Sequence, residues 1–144
     1  SSNLDLILLS GNLYGLFGKL FKLNKLKQIE IFVKELKNIF KDRFYFEIQR
    51  HNEPGEKNFE DYMINLSKKL DIPIIATQEV FYLEKEMFEA HDALICIGEK
   101  SFIDDTKRIK FSDQHFLKNH NELLKQCPQI YEQEWNRDSK IEPH

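Results

Sequence analysis

Three short apolar runs lie along the chain, and each has the pattern of a β-strand. Residues 4–9 are mostly apolar and stop at Ser10-Gly11-Asn12, which is typical of a strand buried on both faces and ended by a turn. Residues 44–49 alternate with a period of two, which predicts a strand with one buried face. Residues 74–77 form a third compact apolar run behind Pro73.

Helical periodicity fills the intervals between these runs. The first predicted helix is capped by Asn24, and its inward positions are Ile29, Phe32, Val33, Leu36 and Phe40. The inward positions of the second are Phe59, Tyr62, Met63, Leu66 and Leu70. A third helix, stopped by Gly98, carries inward Met87, Phe88, His91, Leu94 and Ile95. A small fourth helix is predicted behind Asn119, with Glu122 at its third position.

Strands that alternate with helices in units of about 30 residues predict right-handed crossovers and a parallel sheet. Such a sheet is either doubly wound or part of a barrel. Three units are few, because three parallel strands with three helices leave a long apolar sheet edge unpaired. The pattern therefore predicts a piece of a larger α/β fold, and we expect the isolated chain to self-associate or to be marginally soluble.

The composition is that of a soluble globular domain. The 144 residues are 41% hydrophobic and 31% charged, which is enough apolar material to bury one core. The formal charge of −3 gives no overall positive field for nucleic acid. Cys96 and Cys127 form neither a disulfide framework nor a zinc motif, and no apolar run is long enough to span a membrane. We expect a cytoplasmic protein without membrane contact.

Polar residues follow each predicted strand, and sites in parallel α/β folds form at the carboxyl ends of strands. These residues are Ser10, Gly11 and Asn12, then Glu47, Gln49 and His51, then Gln78, Glu79, Phe81 and Tyr82. Glu47, His51 and Glu79 could form a partial shell for a divalent metal, because carboxylates and imidazole suit such ions. Alternatively, the two carboxylates bond loop amides or basic side chains, and His51 faces water.

Several of these segments resemble the polymerase and histidinol phosphatase (PHP) domain of the alpha subunit of bacterial DNA polymerase III. The order and spacing both fit in residues 6–11, 40–51, 72–77, 89–97, 104–105, 111–112 and 116–118. The resemblance implies the C-terminal part of a distorted seven-stranded β/α barrel, here three βα units plus a C-terminal helical tail. It assigns residues 1–128 to this domain and leaves residues 129–144 as a diverged or poorly ordered tail.

The resemblance also implies a degraded metal site. Metal-bearing members of the family have a cysteine at the position of Asn12 and an Asp-x-His motif at Glu79-Val80-Phe81. Phe81 has no lone pair to donate and Asn12 offers no thiolate, while Glu79 keeps its charge. The family's first His-x-His ligands would lie upstream of residue 1. We therefore expect a vestigial site that binds no metal, with Glu47 and His51 as remaining candidate ligands.

The implied role is a structural scaffold within a replicative polymerase. Nucleotide transfer in this family uses Mg²⁺ ions held by carboxylates of a palm domain outside this segment, so the segment alone is expected to be inactive and to need no cofactor. The expected partners are the remainder of the alpha chain and the proofreading exonuclease subunit, with DNA contacted only through the intact parent. Two alternatives are a metal-dependent phosphoesterase of the PHP type, using Glu47, His51 and Glu79, and a free-standing interaction module.

Overall fold

The computed structural model describes residues 6–126, and these fall into two compact units. The described part of the first unit consists of residues 6–49 and 54–77. The described part of the second consists of residues 50–53 and 78–126. The predicted tail, residues 129–144, lies outside the described residues.

A parallel three-stranded sheet forms the centre of the first unit as described. Its strands are β1 (Leu8–Leu9), β2 (Phe44–Ile48) and β3 (Ile74–Ala76), in the order β1-β2-β3. Leu8 pairs with Phe44, and Phe46 pairs with Ile74. The prediction of strands at these three places is confirmed, and so is the alternation in β2, which buries every second residue.

Three helices accompany the sheet in the described part of this unit: α1 (Leu16–Lys22), α2 (Leu26–Phe40) and α3 (Glu56–Leu70). A 3₁₀ turn, Lys41–Arg43, joins α2 to β2. The side chains that are almost completely enclosed come from both layers, and they are Ile29, Val33, Phe44, Phe46 and Met63. The helical spacing of the apolar residues therefore predicted correctly that Ile29, Val33 and Met63 build the core. Phe32, which was also predicted to point inward, is 40% exposed because it lies at the margin of the apolar stripe of α2.

The start of the chain differs from the sequence prediction. Leu6 and Ile7 are exposed, so burial on both faces is wrong for this run. The reason is that β1 lies at one end of the strand order and, within residues 6–126, pairs only with β2. The helix α1 was not predicted. Gly18 permits it, since a Cβ there would lie 1.9 Å from the carbonyl oxygen of Leu13.

The predicted cap of α2 is also wrong. Lys25 occupies the N-cap position without a side-chain hydrogen bond, and Asn24 adopts a left-handed backbone conformation with φ of 54°. Asn tolerates this region better than most residues do, so Asn24 serves the turn between α1 and α2 instead of capping the helix.

The second unit contains a 3₁₀ turn at Lys85–Met87, α4 (Phe88–Glu99) and α5 (His120–Gln126), together with a parallel bridge between Tyr82 and Phe116. The predicted cap of α5 is confirmed. Asn119 Oδ1 accepts the backbone N–H of Glu122 at 3.1 Å, and Glu122 Oε2 accepts the backbone N–H of Asn119 at 2.8 Å. This reciprocal pair is a capping box.

The predicted inward face of α4 is wrong in part. Phe88, His91 and Ile95 are half-buried, but Met87 and Leu94 are exposed, and Leu94 keeps 66% of its surface open. Periodicity identifies an apolar stripe without saying what covers it, and the described residues of the second unit cover only one side of this helix.

Residues 6–126 thus form a mixed α/β structure with a small parallel sheet, as the coarse prediction required. They do not form a closed barrel. Among the helices that the structure describes, none is long and apolar enough to cross a membrane.

Candidate functional site

The residues predicted to meet at the carboxyl ends of the strands are divided between the two units. Asn12 and Glu47 belong to the first unit, and His51, Glu79 and Phe81 belong to the second. Each group is organised by contacts within its own unit.

In the first unit, Asn12 and Glu47 are members of one hydrogen-bonded network. Asn12 Nδ2 donates to Gln49 Oε1 at 2.8 Å, and Gln49 Nε2 donates to Glu47 Oε1 at 3.2 Å and to Thr77 Oγ1 at 3.0 Å. Thr77 Oγ1 in turn donates to Glu47 Oε1 at 2.5 Å. These bonds link the residues that follow β1 and β3 to the end of β2.

Backbone contacts fix both ends of this network. Asn12 Oδ1 accepts the backbone N–H of Tyr14 at 3.0 Å, and Ser10 Oγ accepts the backbone N–H of Glu47 at 2.9 Å. The amide oxygen and nitrogen of Asn12 therefore both have protein partners. The neutral side chains of Gln49 and Thr77 thus supply hydrogen bonds to the half-buried carboxylate of Glu47. The network therefore has a structural role, which is to join the ends of the three strands.

In the second unit, four aromatic rings contact one another in the order His51, His115, Phe81, His91, and we call this set the ring stack. His51 and His115 lie 4.1 Å apart, centroid to centroid, with 4° between their planes. Phe81 stacks on His115 at 4.7 Å and on His91 at 5.3 Å. Phe111 contacts Phe81 and His115 edge-on. The rings are thus packed mainly face to face.

The peptide groups around Glu79 orient His51 and His115. His51 Nε2 accepts the backbone N–H of Glu79 at 3.3 Å, and His115 Nδ1 lies 3.2 Å from the backbone carbonyl oxygen of Glu79. An N–H can only donate and a carbonyl can only accept. His51 therefore presents the lone pair of Nε2, and His115 presents the proton of Nδ1.

Burial favours the neutral form of both imidazoles. His51 is 4% exposed and His115 is 3% exposed. Desolvation, reinforced by the neighbouring His115 and Lys118, lowers the pKa of His51 from 6.5 to about 4. Desolvation also lowers the pKa of His115, although the Glu79 carbonyl and the Glu79 and Glu53 carboxylates oppose this shift. The alternative in which His51 faces water is therefore wrong.

The described residues of the second unit do not fit a divalent metal. Within residues 6–126, no three His, Cys, Asp or Glu side chains are grouped so that they could hold an ion. The Phe81 ring offers no donor, and the lone pair of His51 is used by a backbone N–H. His115 Nε2 makes no hydrogen bond within the described structure. The nearest carboxylate oxygen, Glu53 Oε1, lies 3.8 Å from this nitrogen, so the two atoms do not form a set of three ligands around one ion.

Sequence reasoning named His51, Glu79 and Phe81 but missed His115, which contacts all three. His115 follows no strand and lies on no periodic face, and 36 positions separate it from Glu79. Only its chain neighbours give a hint, because Phe111 and Phe116-Leu117 mark an apolar stretch that has to pack somewhere.

No family model matches the chain. Curated relatives named DNA polymerase III subunit alpha do match it. The protein from Rickettsia bellii is 40% identical over 76% of this chain, and that from Caulobacter vibrioides is 34% identical over 83%. The protein from Pseudomonas fluorescens is 37% identical over 85%. The matched region is only 9–10% of each relative. Over most of its length, the chain is thus a homologue of one short segment of bacterial DNA polymerase III subunit alpha.

Proposed function

We propose that this chain is a non-catalytic scaffold segment of the alpha subunit of a replicative DNA polymerase III, of the PHP type. The observation that carries the proposal is the similarity to subunit alpha over 76–85% of the chain. The parent would be a DNA-directed nucleotidyltransferase of the cytoplasm. Its DNA synthesis and its Mg²⁺ ions would reside in a palm domain beyond this segment.

The exposed apolar surface of α4 and the loop after it supports a place inside a larger chain. Leu94 is 66% exposed and Ile97 is 73% exposed, one turn apart on the helix, and Phe102 and Ile103 are exposed beyond its end. We call these four residues the α4 apolar face. Soluble monomers rarely present large apolar side chains in such a group. In the proposal, another part of the alpha chain covers this face.

The sheet supports the same view. Leu6 and Ile7 are exposed beside β1, and within the described residues both β1 and β3 are edge strands of the sheet. Unpaired edges of a parallel sheet invite pairing with another chain. In the proposed parent, neighbouring strands of a PHP barrel would pair with them, and the proofreading exonuclease subunit is proposed as a further partner.

The internal contacts of the candidate residues favour a scaffold over a phosphoesterase. Glu47 is hydrogen-bonded to Thr77 and Gln49, and His51 is buried against another ring with its lone pair in use. A hydrolytic metal centre needs ligands with free lone pairs and an open coordination position. Among the described residues, no three His, Cys, Asp or Glu side chains are grouped so that they could hold an ion.

The size of the native protein tests this proposal. An antibody raised against α3 should detect, in cells of the source organism, a protein roughly ten times longer than the matched segment, because that segment is 9–10% of the relatives. A matched antibody against a palm-domain peptide should detect the same band. A product near 17.3 kDa that lacks the palm epitope would contradict the proposal and would favour a free-standing module.

A further inference from the structure

The ring stack joins four stretches of the second unit that are far apart in the sequence. His51 comes from residues 50–53, Phe81 from the segment before α4, His91 from α4 itself and His115 from the loop before α5. A structural metal ion often joins distant loops of a small unit in this way. In this unit, stacking between the faces of aromatic rings joins the four stretches.

The geometry of the stack opposes metal ligation. The lone pair of an imidazole nitrogen lies in the plane of its ring, so ligands of one ion must point their ring edges at a common centre about 2.0–2.1 Å from each nitrogen. His51 and His115 are parallel to within 4°, with their faces together. Their in-plane directions therefore do not converge, and the contact between them is one of packing.

Phe81 is central to this packing. Its ring stacks on His115 with 17° between the planes and on His91 with 7°, and it receives the edge of Phe111 at 4.8 Å. A phenyl ring has no lone pair, so these contacts exclude ligation at this position. They place an apolar surface between the imidazoles of His115 and His91.

Backbone bonds beside the stack hold the same segments in register. Gln78 Nε2 donates to the backbone carbonyl of Lys118 at 3.2 Å, and Gln78 Oε1 accepts the backbone N–H of Lys118 at 3.0 Å. The backbone N–H of Phe81 donates to the carbonyl of His115 at 2.9 Å. These hydrogen bonds fix the loop that carries His115 to the segment that carries Phe81.

We infer that the ring stack replaces a metal ion as the structural centre of the second unit, with Phe81 as the residue on which this metal-free packing depends. The inference concerns how the unit is held together, and its comparison with a metal ion rests on the proposed PHP type of the chain. It makes the unit independent of metal supply and sensitive to the loss of one aromatic ring.

Thermal unfolding of the full 144-residue chain tests the inference, with and without EDTA and with and without one equivalent of Zn²⁺. The unaltered chain should bind no stoichiometric zinc and should unfold at the same temperature, within about 1 °C, under all conditions. A shift of several degrees on chelation, or zinc bound at one equivalent, would overturn the inference.

A pair of matched variants separates stacking from simple burial. Phe81 is 38% exposed, and Phe32 on α2 is 40% exposed. Burial alone predicts equal losses for Phe81→Leu and Phe32→Leu. The inference predicts that Phe81→Leu lowers the unfolding temperature by about 5 °C more, because Leu keeps apolar volume but cannot stack. Equal shifts would overturn it, and failure of Phe81→Leu alone to fold would support it.

Discussion

Acidification from pH 7 to pH 5 should destabilise this protein through His51. The buried ring is neutral in the folded chain, where its pKa is about 4, but has the ordinary pKa of 6.5 when unfolded. As the pH falls below 6.5, His51 becomes protonated in the unfolded chain but stays neutral in the folded chain. Stability is therefore lost between pH 6.5 and pH 4, and His51 contributes no pH dependence above that window.

The magnitude follows from the two pKa values. Proton linkage gives a loss of about 2 kcal/mol in the free energy of unfolding between pH 7 and pH 5 from His51 alone. The pKa of His115 is also lowered, so its contribution has the same sign. The lowered pKa values of carboxylates such as Asp92 and Asp113 place their own losses at lower pH. The window between pH 7 and pH 5 therefore isolates the buried histidines.

Urea denaturation at half-unit pH steps, followed by circular dichroism, measures this loss. His51→Gln should be less stable than the unaltered chain at pH 7, because it loses the contact with His115, and its stability should fall by about 2 kcal/mol less on going to pH 5. His120→Gln removes a histidine at an exposed position on α5 and serves as the control. Parallel curves for the unaltered chain and His51→Gln would refute the reasoning.

Three further predictions concern the fold and the proposed place of the chain. Gly18→Ala should destabilise the chain, because the added Cβ would collide with the backbone of Leu13. In Gly98→Ala, the added Cβ has no atom within 4 Å, so this change within α4 should stabilise the chain by about 0.5–1 kcal/mol. Urea titrations of the two variants would measure both effects. Asn119→Ala should cost about 1 kcal/mol of local stability in α5, seen as faster hydrogen exchange at the Glu122 amide, and unchanged exchange would contradict the capping role. Ile97→Lys should raise the solubility of the isolated chain without lowering its unfolding temperature, because Ile97 is exposed there. If the α4 apolar face packs inside the parent, the same change should reduce the yield of soluble full-length alpha subunit. Solubility assays and size-exclusion chromatography of both proteins would check these results.

Sequence patterns predicted the structure correctly where the feature depends only on residues close together in the chain. The alternation in β2 and the spacing of Ile29 and Val33 in α2 predicted the buried faces, because side-chain direction follows directly from the backbone period. The capping box at Asn119 and Glu122 was read correctly for the same reason, since both hydrogen bonds are made within one turn of chain. The missed helix α1 shows the limit, because this element depends on a close backbone approach at Gly18 that the sequence pattern does not reveal.

The sequence by itself determined the strand and helix periods and the similarity to a known segment, and it predicted that Asn12 and Phe81 do not act as metal ligands. Only the tertiary structure decided what took their place. Asn12 became a donor to Gln49, and Phe81 came to lie against His115, a residue from a distant loop. Periodicity encodes the direction in which a side chain points, but a contact between loops depends on how the whole chain closes. The sequence could therefore show that Phe81 has no lone pair for a metal, but its place in a stack of rings required the fold.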